Sequence, residues 1–276
     1  MNKDFEKKIK NFNIKKEWHY KGQLHRTDGP AIEFPTGLKK WYFEGKIHRT
    51  DGPAIIRPNG SKSWYSNGLL HREDGPAIIR ADGHKEWHVN GKLHRENDLP
   101  AVIRSNGSQE WWFNGNRHRI GKPAFITKKG GKSWWVNGKR HRENDLPAIE
   151  WIGDRKEWWL EGKCHRENDQ PAIEHANGTK EWWINGMRHR ENDLPAVIRA
   201  NGTKVWYFND KYHRENDLPA VICANGTKEW WIHGSRHREN GPAIIQSRGR
   251  LEWWIDGSII KYETLCENIN WSLEGF

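Results

Sequence analysis

Short apolar runs and polar turns alternate along this chain with a period of 23 to 24 residues. In the clearest unit, Glu181 to Lys204, Trp182-Trp183-Ile184 leads into Asn185-Gly186, and Ala196-Val197-Ile198 leads on to Asn201-Gly202. Asn-Gly between apolar and aromatic residues is the strongest short hairpin signal, because a type I′ turn needs positive φ at both central positions. It occurs twice per unit. Asn67-Gly68, Asn90-Gly91, Asn114-Gly115 and Asn137-Gly138 belong to one series, and Asn59-Gly60, Asn106-Gly107, Asn177-Gly178 and Asn225-Gly226 to the other. A chain that reverses at both places is an antiparallel meander with about two strands per repeat. The expected fold is therefore all-β, an elongated, twisted array of about ten to eleven hairpin repeats.

A His-Arg pair marks ten of these units, always seven residues after a tryptophan. If Asn185-Gly186 are the two loop residues, Trp182 faces His189 and Trp183 faces Arg188 across the hairpin. The same arithmetic sets Trp18 with His25, Trp41 with His48, Trp64 with His71, Trp87 with His94 and Trp111 with His118. It continues through Trp134 with His141, Trp158 with His165, Trp206 with His213 and Trp230 with His237. These residues form an expected structural ladder on one side of the strands.

The next residue along each strand points the other way, since side chains alternate with period two. That side changes along the chain. Early units pair His19 with Leu24, Tyr42 with Ile47, Tyr65 with Leu70 and His88 with Leu93. Later ones pair Trp112 with Arg117, Trp135 with Arg140, Trp183 with Arg188 and Trp231 with Arg236, with Trp159–Cys164 and Tyr207–Tyr212 as exceptions. A guanidinium over an indole gains about 0.5–1 kcal/mol when exposed, enough to brace a hairpin. The Trp-Arg pairs are also the candidate binding face.

After each His-Arg comes Asp-Gly-Pro-Ala or Asn-Asp-Leu-Pro-Ala, and this one-residue difference explains the two periods. Proline lacks a ladder donor and belongs where a strand ends, and Asp or Asn before it can hold a turn. Two units depart: Ile120-Gly121-Lys122-Pro123 has no acid in its loop, and the tenth reads Asn240-Gly241-Pro242. Outside the array, which spans residues 17–258, residues 1–16 place Phe5, Ile9 and Phe12 at near-helical spacing. Residues 259–276 carry Ile259, Ile260, Tyr262, Leu265, Trp271 and Leu273 without the repeat signature. Both ends are expected to cap open sheet edges.

Hydrophobic residues make up only 34% of 276, and 19 tryptophans supply the apolar surface that a thin array needs. The formal charge of +10 favours an anionic partner over a cationic one and also serves solubility. The three cysteines, Cys164, Cys223 and Cys266, have no disulfide or zinc spacing, which points to a reducing compartment. No apolar run reaches bilayer length and no secretory signal is evident, so a cytoplasmic location is expected.

The ten ladder histidines suggest metal, but regular ladders do not converge as ligand sets do, and no metal or other cofactor is expected. Each imidazole is instead expected to stack on its tryptophan and bond a neighbouring strand or turn. The Arg after each His should lie on the side away from the Trp-His ladder and pair with acids such as Glu73, Glu143, Glu191 and Glu239. Nucleic acid could engage a basic, aromatic face, although strand-set spacing matches neither successive bases nor a duplex pitch. Catalysis needs a singular constellation, and nearly every polar residue here has copies in most units, so no enzyme activity is expected.

Asn137-Gly138-Lys139-Arg140-His141 resembles the core of the MORN repeat, a β-hairpin module of similar length, and the similarity covers about residues 17–258. The family's Gly-Lys-Gly after the His is replaced here by Arg-Glu-Asn-Asp-Leu-Pro-Ala or Arg-x-Asp-Gly-Pro-Ala. This looks like the divergent, multi-copy form found in large DNA viruses and phages, which would suit a virion-associated protein. The resemblance implies an elongated sheet that binds protein or anionic phospholipid, or that forms a homodimer. A scaffold for a protein partner is the leading expectation, and a binder of nucleic acid or acidic lipid is the alternative.

Overall fold

A computed structural model describes residues 5–9 and 15–264, with side chains from residue 15 onward. Every regular element among them is a β-strand, and none is a helix that could cross a membrane. The chain divides into two compact units, Met1–Lys139 and Arg140–Phe276.

From Gln23–Leu24 to Ile244–Ile245 every strand is two residues long, and a repeat holds four of them where about two were expected. In the third repeat Lys62–Ser63 and Ile78–Ile79 lie in a large antiparallel sheet, whereas Tyr65–Ser66 and Leu69–Leu70 form a separate small hairpin. The strand breaks at the first tryptophan, Trp64. Its N–H donates to the Ala77 carbonyl and its own carbonyl accepts from His71, so this one residue joins sheet to hairpin. The same Trp-to-Ala bond recurs from Trp18–Ala31 to Trp230–Ala243. The alanines are fully buried, leaving no room there for a larger side chain.

In the first unit the large sheet runs as a meander from Phe5–Ile9 through Lys16–Tyr20 and Ile32–Glu33 to Lys132–Ser133. In the second it runs from Ile149–Glu150 to Arg250–Ile255 and Ser258–Thr264. The terminal strands of neither unit pair with each other, so neither sheet closes into a barrel. The near-helical spacing of Phe5 and Ile9 does not produce a helix, because Phe5–Ile9 pairs along its whole length with Lys16–Tyr20. Phe12, Leu265, Trp271 and Leu273 lie outside the described residues.

The two Asn-Gly series fold differently. At the hairpin tips Asn67 and Gly68 have φ of 48° and 86°, as a type I′ turn requires. At the sheet turns only the glycine is left-handed: Gly60 has φ 85° and its N–H reaches back to the Arg57 carbonyl. Asn59 there uses its side chain, Oδ1 accepting the Ser61 N–H at 3.0 Å. This is a type I turn followed by a left-handed glycine, the commoner three-residue hairpin connection.

The core lies between the sheet and the hairpins. Val197, Val205 and Val221 pack with Tyr207, Tyr212 and Trp231, and Cys164, Ala172 and Ile173 pack with Trp159 and Trp183. Burial pushes the Cys164 thiol up to about 12. The inner side of the sheet is thus covered by the chain's own hairpins.

Candidate binding grooves

The cross-hairpin register is as the arithmetic requires. Trp112 pairs with Arg117, Trp183 with Arg188 and Trp231 with Arg236, and His25 N–H bonds the Trp18 carbonyl at 3.0 Å. What lies on each indole face differs from expectation in two ways.

The first tryptophan of each unit is covered by the arginine after the histidine, not by the histidine. Arg26 lies 4.1 Å from the Trp18 ring centre, and Arg166, Arg190 and Arg214 lie 3.8, 3.8 and 3.9 Å from Trp158, Trp182 and Trp206. The backbone ladder ends at the histidine, so strand alternation stops applying and the arginine turns back over the ring. Each such guanidinium also donates to the carbonyl of its own loop proline, as Arg166 does to Pro171 at 3.3 Å.

The histidine reaches into the following unit. His48, His94 and His118 accept, at Nδ1, the N–H of the hairpin-tip residue of the next repeat: Asn67 at 3.0 Å, and Asn114 and Asn137 at 3.1 Å. Nε2 faces the glutamate two residues on, as in His94–Glu96 at 2.7 Å and His213–Glu215 at 2.8 Å. Glu191 likewise bonds His189 rather than an arginine, and His71 is the partner of Glu73. The expected pairing of these glutamates with the arginine row is therefore corrected.

The arginines' acids come from the proline loops, by two routes. In Asp-Gly-Pro loops the aspartate bonds the arginine of its own repeat: Asp28 with Arg26, Asp51 with Arg49, Asp74 with Arg72, each at 2.8 Å. In Asn-Asp-Leu-Pro loops both Asn and Asp are left-handed, as at Asn144 (φ 60°) and Asp145 (φ 51°), and the aspartate bonds the arginine of the next repeat. Asp145 takes Arg166, Asp169 takes Arg190, Asp193 takes Arg214 and Asp217 takes Arg238. The Asp145 carbonyl also accepts the Trp158 indole N–H at 2.9 Å. Hydrogen bonds from those arginines hold all four carboxyls below the usual aspartate range.

The second Trp-Arg set, the expected binding face, packs its indoles against the core, with the Arg188 and Arg236 side chains still about a third exposed. Arg117 lies between Trp112 and Trp135, at 5.1 and 4.8 Å. Arg188 lies between Trp183 and Tyr207, Arg236 between Trp231 and Trp254, and Arg140 lies 4.8 Å from Trp159. The residue before the tryptophan pair completes the stack: Glu181 accepts the Trp183 indole N–H and pairs with Arg188, Glu229 does the same for Trp231 and Arg236, and at Trp135 the acceptor is the Ser133 hydroxyl. In the early repeats Leu70 or Leu93 fills the arginine's place. The Glu-Trp-Trp triplet carried this signal, since an indole N–H turned inward needs an acceptor.

The open surface lies on the other side of the hairpins. Between successive proline loops run grooves whose floor is the next repeat's first tryptophan. Two grooves that each begin at an Asn-Asp-Leu-Pro loop hold about 330 and 350 Å³, with Leu146 and Leu160 or Leu218 and Ile232 as apolar walls. Between Asp-Gly-Pro loops they widen to about 650 and 750 Å³, because no ion pair crosses from one loop to the next. Each unit has an apolar set just before its hairpin tips, 39 to 47% exposed: Phe43, Val89 and Phe113 in the first, Leu160, Phe208 and Ile232 in the second. Imidazoles lie beside them: His25 lies 4.6 Å from the Phe43 ring and His94 4.9 Å from the Phe113 ring.

The outer side of the large sheet is different again. Exposed lysines alternate with half-buried isoleucines in register, Ile56–Lys62–Ile79–Lys85–Ile103 in the first unit and Ile198–Lys204–Ile222–Lys228–Ile245 in the second. Among the described residues none of Lys62, Lys85, Lys204 and Lys228 has an ion-pair partner. No group of three or more His, Cys, Asp or Glu among the described residues is placed to hold a metal ion. No protein-family model and no curated protein matches the chain.

Proposed function

We propose that this protein is a non-catalytic, MORN-like repeat scaffold whose hairpin side binds a protein partner. The observation that supports this most is the set of exposed apolar residues at the hairpins of each unit, Phe43, Val89 and Phe113 in the first and Leu160, Phe208 and Ile232 in the second, beside Trp-floored grooves. Contiguous exposed apolar surface rimmed by polar groups marks interaction sites. The guanidiniums beneath are held by an indole ring and a proline carbonyl, and all but Arg95 of those described also by a carboxylate, so they need little ordering on binding. Catalysis has no support from a singular polar cluster, since the groove chemistry repeats from unit to unit.

Photo-crosslinking tests the reading. A benzophenone side chain at Phe113 or Phe208 should crosslink one discrete protein in the source cell, and the same probe at Lys85 or Lys204 should not. Equal crosslinking from both sides, or none from Phe113 and Phe208, would overturn it.

A second reading, binding of nucleic acid or acidic lipid, has one observation in its favour, the row of unpaired lysines on the outer sheet. It would take Lys62, Lys85, Lys204 and Lys228 as contacts in place of the stacked arginines. Retention on DNA or acidic liposomes should then fall steeply with salt.

A further inference from the structure

The ten arginines that follow the ladder histidines differ in one respect. Nine have a carboxylate within ion-pair distance: Arg26, Arg49 and Arg72 from their own loops, Arg119, Arg166, Arg190, Arg214 and Arg238 from the preceding loop, and Arg142 from Glu150. Arg95 has none among the described residues. The reason is its place in the array. It follows the last of the first three Asp-Gly-Pro loops, whose Asp74 is turned back to Arg72, and its own loop is the first of the longer kind, whose Asp98 is turned forward to Arg119.

The other source of a carboxylate is missing too. Arg142 and Arg166 reach a strand glutamate eight residues on, Glu150 and Glu174, whereas Arg95 has Ile103 at that position. The nearby Glu96 is committed to His94 at 2.7 Å. Arg95 is held by the Trp87 ring at 3.8 Å and by the Pro100 carbonyl at 3.0 Å. It lines a groove of about 450 Å³ with Val89 and Leu99 as apolar walls. Burial without a compensating acid lowers its pKa.

We infer that the groove between the third and fourth His-Arg loops is a carboxylate site, in which an Asp or Glu side chain of a protein partner pairs with Arg95. The partner's carboxylate takes the place that Asp145, Asp169, Asp193 and Asp217 take intramolecularly farther along. The guanidinium is already oriented by ring and carbonyl, and its Nε and second Nη donate to no carboxylate among the described residues. A planar fork held this way favours bidentate carboxylate binding. In an array of near-identical units this fixes one register for the partner. The source of the carboxylate rests on the protein-binding reading above.

The test uses the full chain labelled with nitrogen-15 and follows the arginine Nε–Hε resonances during titration with N-acetylglutamate N-methylamide. Arg95 should move on titration, and Arg190 and Arg214, already paired, should not. Ile103→Glu supplies the missing strand acid and should weaken the response at Arg95 about tenfold, the worth of one charge-assisted bond. Inserting Asn between Glu73 and Asp74 together with Gly75→Leu converts the third loop to the longer kind. The responding resonance should then pass from Arg95 to Arg72.

A static Arg95, or equal movement of all ten resonances, would overturn the inference and leave the scaffold reading standing. A stronger response to inorganic phosphate than to the glutamate compound would overturn the carboxylate assignment. A responsive Arg95 without hairpin-side crosslinks would instead count against the protein partner.

Discussion

Asp145 accepts the Nε–H and an Nη2–H of Arg166, both at 2.8 Å, from the repeat that follows it. The pair closes over the Trp158 ring, so it joins two neighbouring repeats and shields an indole. Asp145→Asn should cost about 0.5–1 kcal/mol, because the carboxylate is half exposed and screened. Arg166→Ala removes the stack and the Pro171 bond as well and should cost about 2 kcal/mol. Urea denaturation followed by tryptophan fluorescence measures both. Equal effects would mean that the guanidinium does not brace the ring.

Acid should act through the same pairs. Asp145, Asp169, Asp193 and Asp217 are depressed in the folded state, so their contribution is present above the unfolded carboxylate value of about 3.9 and is lost as pH falls through the lower folded values. In the first unit Glu86, bonded first by His88 and then by His84, is lowered to about 2 and extends the loss to that pH. The urea midpoint should be flat from neutrality to about pH 5 and fall below about pH 4. A chain with all four aspartates changed to Asn should fall less. An identical acid profile would show that these pairs do not set it.

Glycine in the shorter loops has a steric role. A Cβ on Gly29 would lie 2.9 Å from Cζ of Arg26, and Gly29 is not in a left-handed conformation. Arg26 is a flexible side chain that can move off the Trp18 ring, so Gly29→Ala should cost about 0.5–1 kcal/mol, the worth of the displaced stack. Arg26→Ala should relieve most of that cost in a double-mutant cycle. Additive costs would reject the clash.

Hydrogen exchange should resolve the histidine bonds individually. The amides of Asn67, Asn114 and Asn137 donate to His48, His94 and His118, whereas Nδ1 of His189 has no partner. There the tip is Asn209-Asp210, and the Asp210 N–H goes to the Arg188 carbonyl. Asn209 should exchange markedly faster than the other three. Equal protection would mean that the imidazoles do not hold the turns.

The all-β class, the tip turns and the cross-hairpin register were legible in the sequence because each rests on local chemistry: Asn-Gly at Asn67, and period-two pairing of Trp183 with Arg188. Side-chain destinations beyond the ladder were not. Alternation puts Arg190 away from Trp182, but the strand ends at His189 and the chain turns, so a rule about extended backbone no longer holds. Which carboxylate meets Arg166 depends on one inserted residue that aims Asp145 forward rather than back. The buried alanine after each proline was visible as a constant, but its purpose required seeing the Trp87 N–H on the Ala101 carbonyl.

The stacked arginines provide the sharpest contrast with expectation. If Arg140, Arg188 and Arg236 were surface contacts for an anion, changing all three to Ala would weaken binding and spare the fold. Arg188 instead sits 4.8 Å from Trp183 and 5.3 Å from Tyr207, and its loss leaves the largely buried Glu181 without that cation. The triple change should destabilise the second unit by about 1–2 kcal/mol per site. Lys62→Ala, Lys85→Ala, Lys204→Ala and Lys228→Ala together should shift stability by less than about 0.5 kcal/mol each, since these side chains have no partners to lose. If an anionic surface is bound at all, that quadruple change should abolish retention on acidic liposomes or DNA. A folded, stable triple-arginine variant that alone loses retention would return those arginines to the surface and overturn the layered arrangement of sheet and hairpins.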